Sequence, residues 1–307
     1  MMLLMLAAVL VALFVWRAAW ISHVERTVGA RLPAGSDGIV AGTEPIELYP
    51  SAPSGAVLLL HGFGDSPQSL ASLARPLYER GFAVYAPLLP GHGRTLRDFH
   101  ASGEAEWMAE ARRALARLRE RDERVGIVGL SMGGALAVLL ASEASDLRAL
   151  VLLAPYLEPP RSVRAMGAAA PVAGWLVPYM RGGDPRSIYD PAAHAAALAY
   201  RAVSPRSIAQ LVRLTDRARS RLPLVRVPTL YVQSREDYRI PVAAAERSFE
   251  ALGAEEKRLD WLAGCGHVIT ADYCKERVAE LVTTWMEAKI ERADVRSRAL
   301  PGRSSLR

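Results

Sequence analysis

The sequence has few cysteines, with only Cys265 and Cys274 in 307 residues. They form no C-x-x-C pair, and no group of histidines and cysteines has the spacing of a zinc site, so a metal site is not expected. A disulfide between the two is compatible with the sequence. We expect two unpaired, partly buried thiols, because free cysteine behaves as a small apolar residue. No motif indicates a cofactor.

The sequence also lacks a basic surface of the kind that binds nucleic acid. The formal net charge is +6, but five arginines lie in residues 290–307, and those of residues 111–124 fit the solvent-facing side of an amphipathic helix. No stretch combines clustered basic residues with interleaved aromatics, so a nucleic-acid partner is not expected. Residues 290–307 contain Pro, Gly and Ser without an apolar period, which predicts a flexible basic tail.

The first sixteen residues contain no charged side chain. Residues 1–16 form an apolar run that covers about 24 Å as a helix, short of the roughly 30 Å hydrocarbon core of a membrane. Six further residues close this gap if Arg17 reaches the headgroups, and Trp16 and Trp20 then lie where interfacial aromatics are enriched. We therefore predict a single membrane anchor over residues 1–22.

A cleaved signal peptide is the alternative for the same segment. The run has no basic residue before Arg17 and no small-x-small cleavage site close behind it, which favours an uncleaved anchor. Arg17, Arg26 and Arg31 all follow the apolar run, so the positive-inside rule predicts that the main domain is cytoplasmic. A signal peptide would instead make that domain extracytoplasmic.

Six apolar runs, separated by turn residues and helical patterns, indicate a parallel sheet. Most of the runs are continuous, as expected for strands covered on both faces. Their alternation with helices predicts an α/β fold, with a mostly parallel sheet and helices on both faces. The predicted strands are residues 56–61, 82–87, 125–130, 149–154, 229–234 and 257–262.

One stretch interrupts this alternation. Residues 156–221 contain Pro- and Gly-rich joints and apolar helical patches but no good strand, so we predict a helical cap inserted into the sheet domain. The predicted core then comprises residues 55–155 and 222–289. It is preceded by a connector over residues 23–54, with possible first strands around 38–48.

The sequence GLSMGG, residues 129–134, follows a predicted strand and precedes an apolar helix. This order is the context of a nucleophile elbow, a tight and strained turn that raises a serine hydroxyl above the carboxyl edge of the sheet. Gly129 and Gly133 avoid a clash where the backbone approaches itself closely. The motif predicts Ser131 as a nucleophile and the Met132 backbone N–H as an oxyanion donor.

A serine nucleophile needs a base and an acid, and in this fold the chain order is serine, acid, histidine. Of the two later histidines, His194 lies in an alanine-rich stretch that indicates a helix surface. His267 lies in a Gly-rich loop directly after the last strand and is the predicted base. Asp237 follows the preceding strand and is the predicted acid, with Glu236 as the alternative. Asp260 lies inside the last strand and does not fit this order.

The loop after the first long strand, HGFGDS, is the predicted source of a second oxyanion donor. Gly62 and Gly64 let its backbone turn inward, and the N–H of Phe63 is the candidate. His61 lies at a strand end and His92 lies in a Gly-bounded turn, so we expect both to be structural.

Five ordered motifs together resemble the α/β-hydrolase superfamily. They are LLLHGFGDS, APLLPGHGRT, GLSMGGALA, PTLYVQSREDYRIP and GCGHVIT. The set is most similar to bacterial carboxylesterases and monoacylglycerol lipases with a small cap, over about residues 56–285. The resemblance implies Ser131, Asp237 and His267 as a catalytic triad. It also implies that the Phe63 and Met132 amides form an oxyanion hole.

The predicted activity is hydrolysis of carboxylic esters through an acyl-enzyme mechanism. An apolar cap and a membrane anchor together favour a medium-chain or monoacylglycerol-type lipid ester. A thioesterase, a peptidase for small substrates and a haloperoxidase-like enzyme on the same fold are alternatives. A membrane-tethered binding protein without activity is another, which the joint presence of the three triad residues disfavours. The oligomeric state does not follow from the sequence.

Overall fold

The computed structural model of the protein describes residues 1–144, 146–182 and 185–298. The strands in these residues are β1 (Ile46–Leu48), β2 (Ala56–Leu60), β3 (Ala83–Ala86), β4 (Val125–Leu130), β5 (Ala149–Leu153), β6 (Met180–Arg181), β7 (Ala202–Val203), β8 (Thr229–Ser234) and β9 (Lys257–Leu262). The helices are α1 (Met2–Arg31), α2 (Ala71–Glu79), α3 (Leu96–Ala101), α4 (Glu104–Arg119), α5 (Met132–Glu143), α6 (Arg161–Ala168), α7 (Ala170–Leu176), α8 (Pro191–Ala196), α9 (Pro205–Arg221), α10 (Val242–Glu250) and α11 (Lys275–Arg298). Short 3₁₀ turns span Pro67–Leu70, Pro185–Ser187 and Leu222–Leu224.

Seven of the strands form one sheet in the order β1-β3-β2-β4-β5-β8-β9. β1 runs antiparallel to β3, and the other neighbours are parallel. Side chains on both faces of β2 are buried: Leu58 and Leu60 pack into one hydrophobic cluster, and Val57 and Leu59 pack into another. Burial on both faces accounts for the continuous apolar runs in the sequence. The predicted α/β fold is confirmed.

The six predicted strands coincide with strands of the sheet to within one residue at either end, and β1 lies in the predicted connector. The segment 156–221, which we call the cap, contains α6, α7, α8 and α9, and α9 packs against α5 and α6. The cap also contains the antiparallel pair β6 and β7. The expectation of no strand there is therefore wrong, because strands of two residues are too short to show a period.

The N-terminal helix is longer than the predicted anchor and continues to Arg31. It is the one helix in the described residues that is long and apolar enough to span a membrane, which fits an anchor and a signal sequence alike. Residues 1–16 are exposed, whereas Val28 and Leu32 at the carboxyl end of the helix are buried in the core. Glu25 also forms an ion pair of 3.0 Å with Arg97 on α3.

The C-terminal helix also continues past its predicted end. α11 runs to Arg298 and so includes residues 290–298 of the predicted tail. Ile290 is fully buried and fills the space beside Gly55 and Gly126, which explains why the helix extends beyond Lys289. The rest of the predicted tail, residues 299–307, lies outside the described residues.

The two cysteines form a disulfide, so the expectation of two unpaired thiols is wrong. The loop between Cys265 and Cys274 turns back on itself and ends at the start of α11, which brings the two Cα atoms to 5.9 Å. This separation is within the range that a disulfide requires. The pairing depends on the path of the loop, and a spacing of nine residues does not reveal that path.

Candidate active site

Ser131 lies in the turn between β4 and α5 with a φ of 54° and a ψ of −114°. A positive φ is strained for a residue with a side chain, and the surrounding hydrogen bonds must hold it. Its N–H donates to the Leu153 carbonyl at 2.9 Å, and its carbonyl accepts from the Tyr156 N–H at 3.0 Å. A Cβ atom on Gly129 would lie only 2.3 Å from the Gly133 carbonyl oxygen. The close backbone approach expected at both glycines is therefore present.

The structure brings the three predicted triad side chains together from three separate loops. His267 Nε2 lies 2.8 Å from Ser131 Oγ, and His267 Nδ1 lies 2.7 Å from Asp237 Oδ2. Ser131 follows β4, Asp237 follows β8 and His267 follows β9. Because these strands are parallel, their carboxyl ends meet at one edge of the sheet.

The carboxylate of Asp237 is held by several donors besides His267. Oδ1 accepts from the backbone N–H of Arg239 at 2.8 Å and of Ile240 at 3.2 Å, and Oδ2 accepts from Gln233 Nε2 at 2.8 Å. Burial alone would raise the pKa of Asp237, but the interaction and hydrogen bond with the His267 imidazole, with the Arg239 N–H and the Gln233 amide, outweigh burial and lower the pKa. Asp237 is therefore held as a carboxylate facing the imidazole.

The other candidates for acid and base lie elsewhere. Glu236 accepts from Ser234 Oγ and from the Gly264 N–H, both at 3.2 Å, and not from His267. Asp260 pairs with Arg258 on its own strand at 2.5 Å. His194 lies on a helix as expected, but it is half-buried on α8 and lines the cavity described below.

The two backbone amides predicted as oxyanion donors belong to the residue directly after Ser131 and to the loop after β2, which approaches the elbow. Met132 is the first residue of α5, so its N–H points out of the amino end of the helix. Phe63 follows Gly62, whose position is so close to the elbow that a Cβ atom built there would lie 3.5 Å from Ser131 Cβ. Neither amide donates to the loop, turn or cap hydrogen bonds found in the described residues.

His61 and His92 are fully buried beside each other, with ring centroids 5.0 Å apart. His61 Nε2 accepts from the Leu89 N–H at 3.1 Å, and His92 Nδ1 donates to the Pro90 carbonyl at 3.0 Å. Burial lowers the pKa of His61 well below its ordinary value and lowers the pKa of His92 to about 4. Both rings are neutral at physiological pH, and their hydrogen bonds hold the loop around residues 89–92.

A cavity of about 660 Å³ opens above Ser131 and His267, beneath the cap. Its apolar walls come from the core and from the cap, with Phe63, Leu130, Val163, Ile188, Ile208 and Leu211 among the lining residues. Charged side chains, among them Asp65, Arg201 and Lys275, also line it. A mostly apolar cavity with some polar groups is typical of a site for a small, partly apolar ligand.

Sequence reasoning missed two side chains around the triad. Gln233 lies on β8 and donates to Asp237, and Asp272 accepts from the N–H of Gly266, the residue before His267. Gln233 lies inside the quoted motif PTLYVQSREDYRIP and Asp272 lies two residues after GCGHVIT, but the sequence analysis assigns no role to either. The signal that could have drawn attention to them is a polar side chain that interrupts or closely follows a buried apolar segment.

A parallel sheet with a strained serine after a central strand, and a histidine and an aspartate at the same edge, defines the α/β-hydrolase class. A family model described as "Serine aminopeptidase, S33" matches residues 51–273. The chain therefore belongs to this family of α/β hydrolases, and the predicted resemblance is confirmed.

Two curated proteins are similar to most of the chain. A thermostable monoacylglycerol lipase from Bacillus sp. (strain H-257) is 29% identical over 244 residues, which cover 79% of this chain and 93% of the relative. A carboxylesterase from Bacillus subtilis (strain 168) is 26% identical over 233 residues, which cover 76% of this chain and 92% of the relative. Both names belong to the predicted enzyme class, the carboxylic ester hydrolases.

Solved structures are similar to the chain as well. A structure from work on the metagenome-derived lipolytic enzymes LipS and LipT has a TM-score of 0.75 and 31% identity, and covers 81% of this chain and 99% of its own. The monoacylglycerol lipase of Paleococcus ferrophilus has a TM-score of 0.69 and 24% identity, over 80% of this chain and 98% of its own, and supports the fold.

Proposed function

We propose that the protein hydrolyses carboxylic esters with Ser131 as nucleophile, His267 as general base and Asp237 as the acid that orients the imidazole. The observation that carries this proposal is the unbroken hydrogen-bond chain from Ser131 Oγ through both nitrogens of His267 to Asp237. A serine hydroxyl is a weak nucleophile at neutral pH, and a hydrogen-bonded base is the group that it needs.

In the proposed acylation step, Ser131 Oγ attacks the ester carbonyl and passes its proton to His267 Nε2. The Asp237 carboxylate accepts from Nδ1–H and stabilises the imidazolium that forms. The N–H groups of Phe63 and Met132 donate to the oxyanion of the tetrahedral intermediate. His267 then protonates the leaving alcohol, and a water molecule, activated by the same imidazole, hydrolyses the acyl-enzyme and restores the Ser131 hydroxyl.

We propose a medium-chain or monoacylglycerol-type ester as the substrate. The apolar walls of the cavity support this, because each buried methylene contributes about 0.8 kcal/mol and favours acyl chains that fill the space. The relative named as a monoacylglycerol lipase has the same class of substrate in its name. The description of the family names an aminopeptidase, but the two curated relatives are named as a monoacylglycerol lipase and a carboxylesterase, so a peptidase, a thioesterase or an inactive binding protein is not favoured.

This proposal predicts a specific dependence of rate on chain length. Along a series of p-nitrophenyl esters from acetyl to palmitoyl, we expect kcat/KM to rise by up to about fourfold per methylene until the cavity is filled, because each buried methylene adds binding energy. The measurement is initial rates at matched substrate concentrations below KM. A maximum at the acetyl ester would contradict the lipid preference, while higher rates on amino-acyl p-nitroanilides or acyl thioesters of matched length would favour an alternative.

We propose that α1 stays attached as a membrane anchor and that the catalytic part faces an oxidising compartment. Within the segment 1–22, Arg17 Nε donates to the Trp175 carbonyl at 2.9 Å and Trp20 Nε1 donates to the Tyr179 carbonyl at 3.2 Å, and cleavage would remove both contacts with the cap. Disulfides such as Cys265–Cys274 persist in oxidising compartments. The disulfide therefore supports the extracytoplasmic alternative over the cytoplasmic orientation that the arginines after α1 indicate.

The orientation is tested by the state of the cysteines in cells. Cells expressing the protein are quenched in acid and treated with a polyethylene-glycol maleimide, with and without prior reduction. We expect no adduct without reduction and two adducts after it, because both cysteines are held in the disulfide. Two adducts without reduction would show that the thiols are free in the cell and would contradict this orientation.

A further inference from the structure

Asp272 is a buried acid that takes no part in the proposed reaction. It is fully buried in the loop between β9 and α11, which Cys265 and Cys274 close at either end. A buried carboxylate is tolerated only when hydrogen bonds replace the water that it loses. The partners of Asp272 therefore show what the acid holds in place.

Four backbone N–H groups donate to this carboxylate. Oδ2 accepts from Gly266 at 2.7 Å and from Tyr189 at 2.8 Å, while Oδ1 accepts from Asp190 at 2.9 Å and from Tyr273 at 2.8 Å. Charge-assisted bonds of this length are stronger than bonds between neutral groups. Two of the donors, Tyr189 and Asp190, belong to the cap, and the other two, Gly266 and Tyr273, belong to the loop that carries His267.

The donor in the histidine loop is the residue directly before His267. Gly266 is bound to Asp272, and Val268, on the other side of His267, donates its N–H to the Ser187 carbonyl at 2.9 Å. A Cβ atom on Gly266 would lie 2.4 Å from the Arg186 carbonyl oxygen, so loop and cap are in direct backbone contact here. The backbone of His267 is thus fixed on both sides against residues 186–190.

The same cap segment contacts the loop that carries the proposed acid. Tyr189 donates its hydroxyl to the Glu236 carbonyl at 3.0 Å, next to Asp237 in the chain. The segment then continues into α8, whose residues Ala193 and Ala196 line the cavity. A displacement of residues 186–190 would therefore disturb both the loop that carries His267 and the loop that carries Asp237.

We propose that Asp272 is a positioning residue that couples the cap to His267, so that the imidazole is aligned with Ser131 only while the cap segment 186–190 is seated. This inference rests on the proposed function, since it assumes that His267 activates Ser131. Small displacements of a reacting group lower the rate steeply, by about a hundredfold for 1 Å. The role of Asp272 is therefore in the rate of acylation and not in substrate affinity.

The test is the Asp272→Asn variant of the full chain, which keeps the size of the side chain but turns one acceptor into a donor that faces N–H groups. We expect a fluorophosphonate probe to label the variant to the same final stoichiometry as the wild type, at a rate lower by about 10- to 100-fold, with kcat on p-nitrophenyl butyrate reduced in parallel and KM nearly unchanged. A merely structural role would reduce the number of sites that label and leave the rate per labelled site unchanged.

The matched control is Asp122→Asn. Asp122 is a largely buried acid that binds Arg124 before β4, at the opposite edge of the sheet from Ser131. We expect wild-type labelling rates for it. Asp272→Glu keeps the charge but displaces it by one methylene, and should also label slowly. Wild-type rates per site in Asp272→Asn or Asp272→Glu would overturn the proposal.

A measurement on the wild-type chain covers the case in which these variants do not fold. Amide hydrogen exchange should show the N–H groups of Gly266, Tyr189 and Asp190 protected to a similar degree, because one carboxylate holds all three. Fast exchange at any of them would overturn the coupling. Activity that survives Ser131→Ala would instead refute the proposed function, so the two failures are distinguishable.

Discussion

Replacement of Ser131 by alanine is expected to lower kcat for p-nitrophenyl butyrate by about 10⁴- to 10⁶-fold and to abolish labelling by a fluorophosphonate probe. The hydroxyl is the only part of this residue that the proposed acylation uses, and removal of a serine nucleophile leaves only oxyanion stabilisation and binding. Alanine adopts the same backbone and removes one atom, so the thermal midpoint should change little. Initial rates, probe labelling and thermal unfolding are measured on the same preparation.

Ser142→Ala is the matched control for this prediction. Ser142 lies on α5, the helix that begins at Met132, and its hydroxyl bonds to the Leu139 carbonyl at 2.8 Å within the helix. Its loss should change the rate by less than about threefold, because it touches no group of the proposed mechanism. A Ser131→Ala protein with more than a hundredth of the wild-type rate would refute Ser131 as the nucleophile.

The elbow could be predicted from sequence because its requirements are local. A tight strand-to-helix turn needs small residues at fixed positions, and those residues stand next to the serine in the chain, at Gly129 and Gly133. The chain order of acid and histidine then reduces the candidates to a few residues in loops after β8 and β9. The structure places Asp237 and His267 beside Ser131, as the sequence predicts, and leaves Glu236 out of this hydrogen-bond chain.

The features that sequence did not reveal depend on contacts between distant parts of the chain. Ile290 is buried beside Gly126 of β4 and Gly55 before β2, where the lack of a side chain leaves room for it, and α11 continues past the predicted end of the core at residue 289. The disulfide follows from the path of the loop that carries His267. Asp272 is similar, since its four donors include Gly266 from its own loop and Tyr189 and Asp190 from the cap. Local patterns contain none of this information.

Replacement of Asp237 by asparagine is expected to lower kcat by about 10⁴-fold with little change in KM. The carboxylate accepts from Nδ1–H of His267 at 2.7 Å, which leaves Nε2 unprotonated and able to take the serine proton. An asparagine amide that donates to Nδ1 favours the opposite tautomer, with the proton on Nε2, and the imidazole then cannot act as base toward Ser131. The measurement is steady-state kcat and KM on a short p-nitrophenyl ester. The concentration of active sites is determined separately by long incubation with a fluorophosphonate probe.

Glu236→Gln provides the matched control, because it makes the same acid-to-amide change at the adjacent residue. The Glu236 carboxylate accepts hydrogen bonds from Ser234 and Gly264, and the bond from His267 goes to Asp237, so the change should reduce kcat by less than about tenfold. The ratio of kcat for Glu236→Gln to kcat for Asp237→Asn therefore identifies the carboxylate that orients the imidazole. If Glu236→Gln lost as much activity as Asp237→Asn, the hydrogen bond from His267 to Asp237 would not be the one that sets the tautomer, and the assignment of the acid would fail.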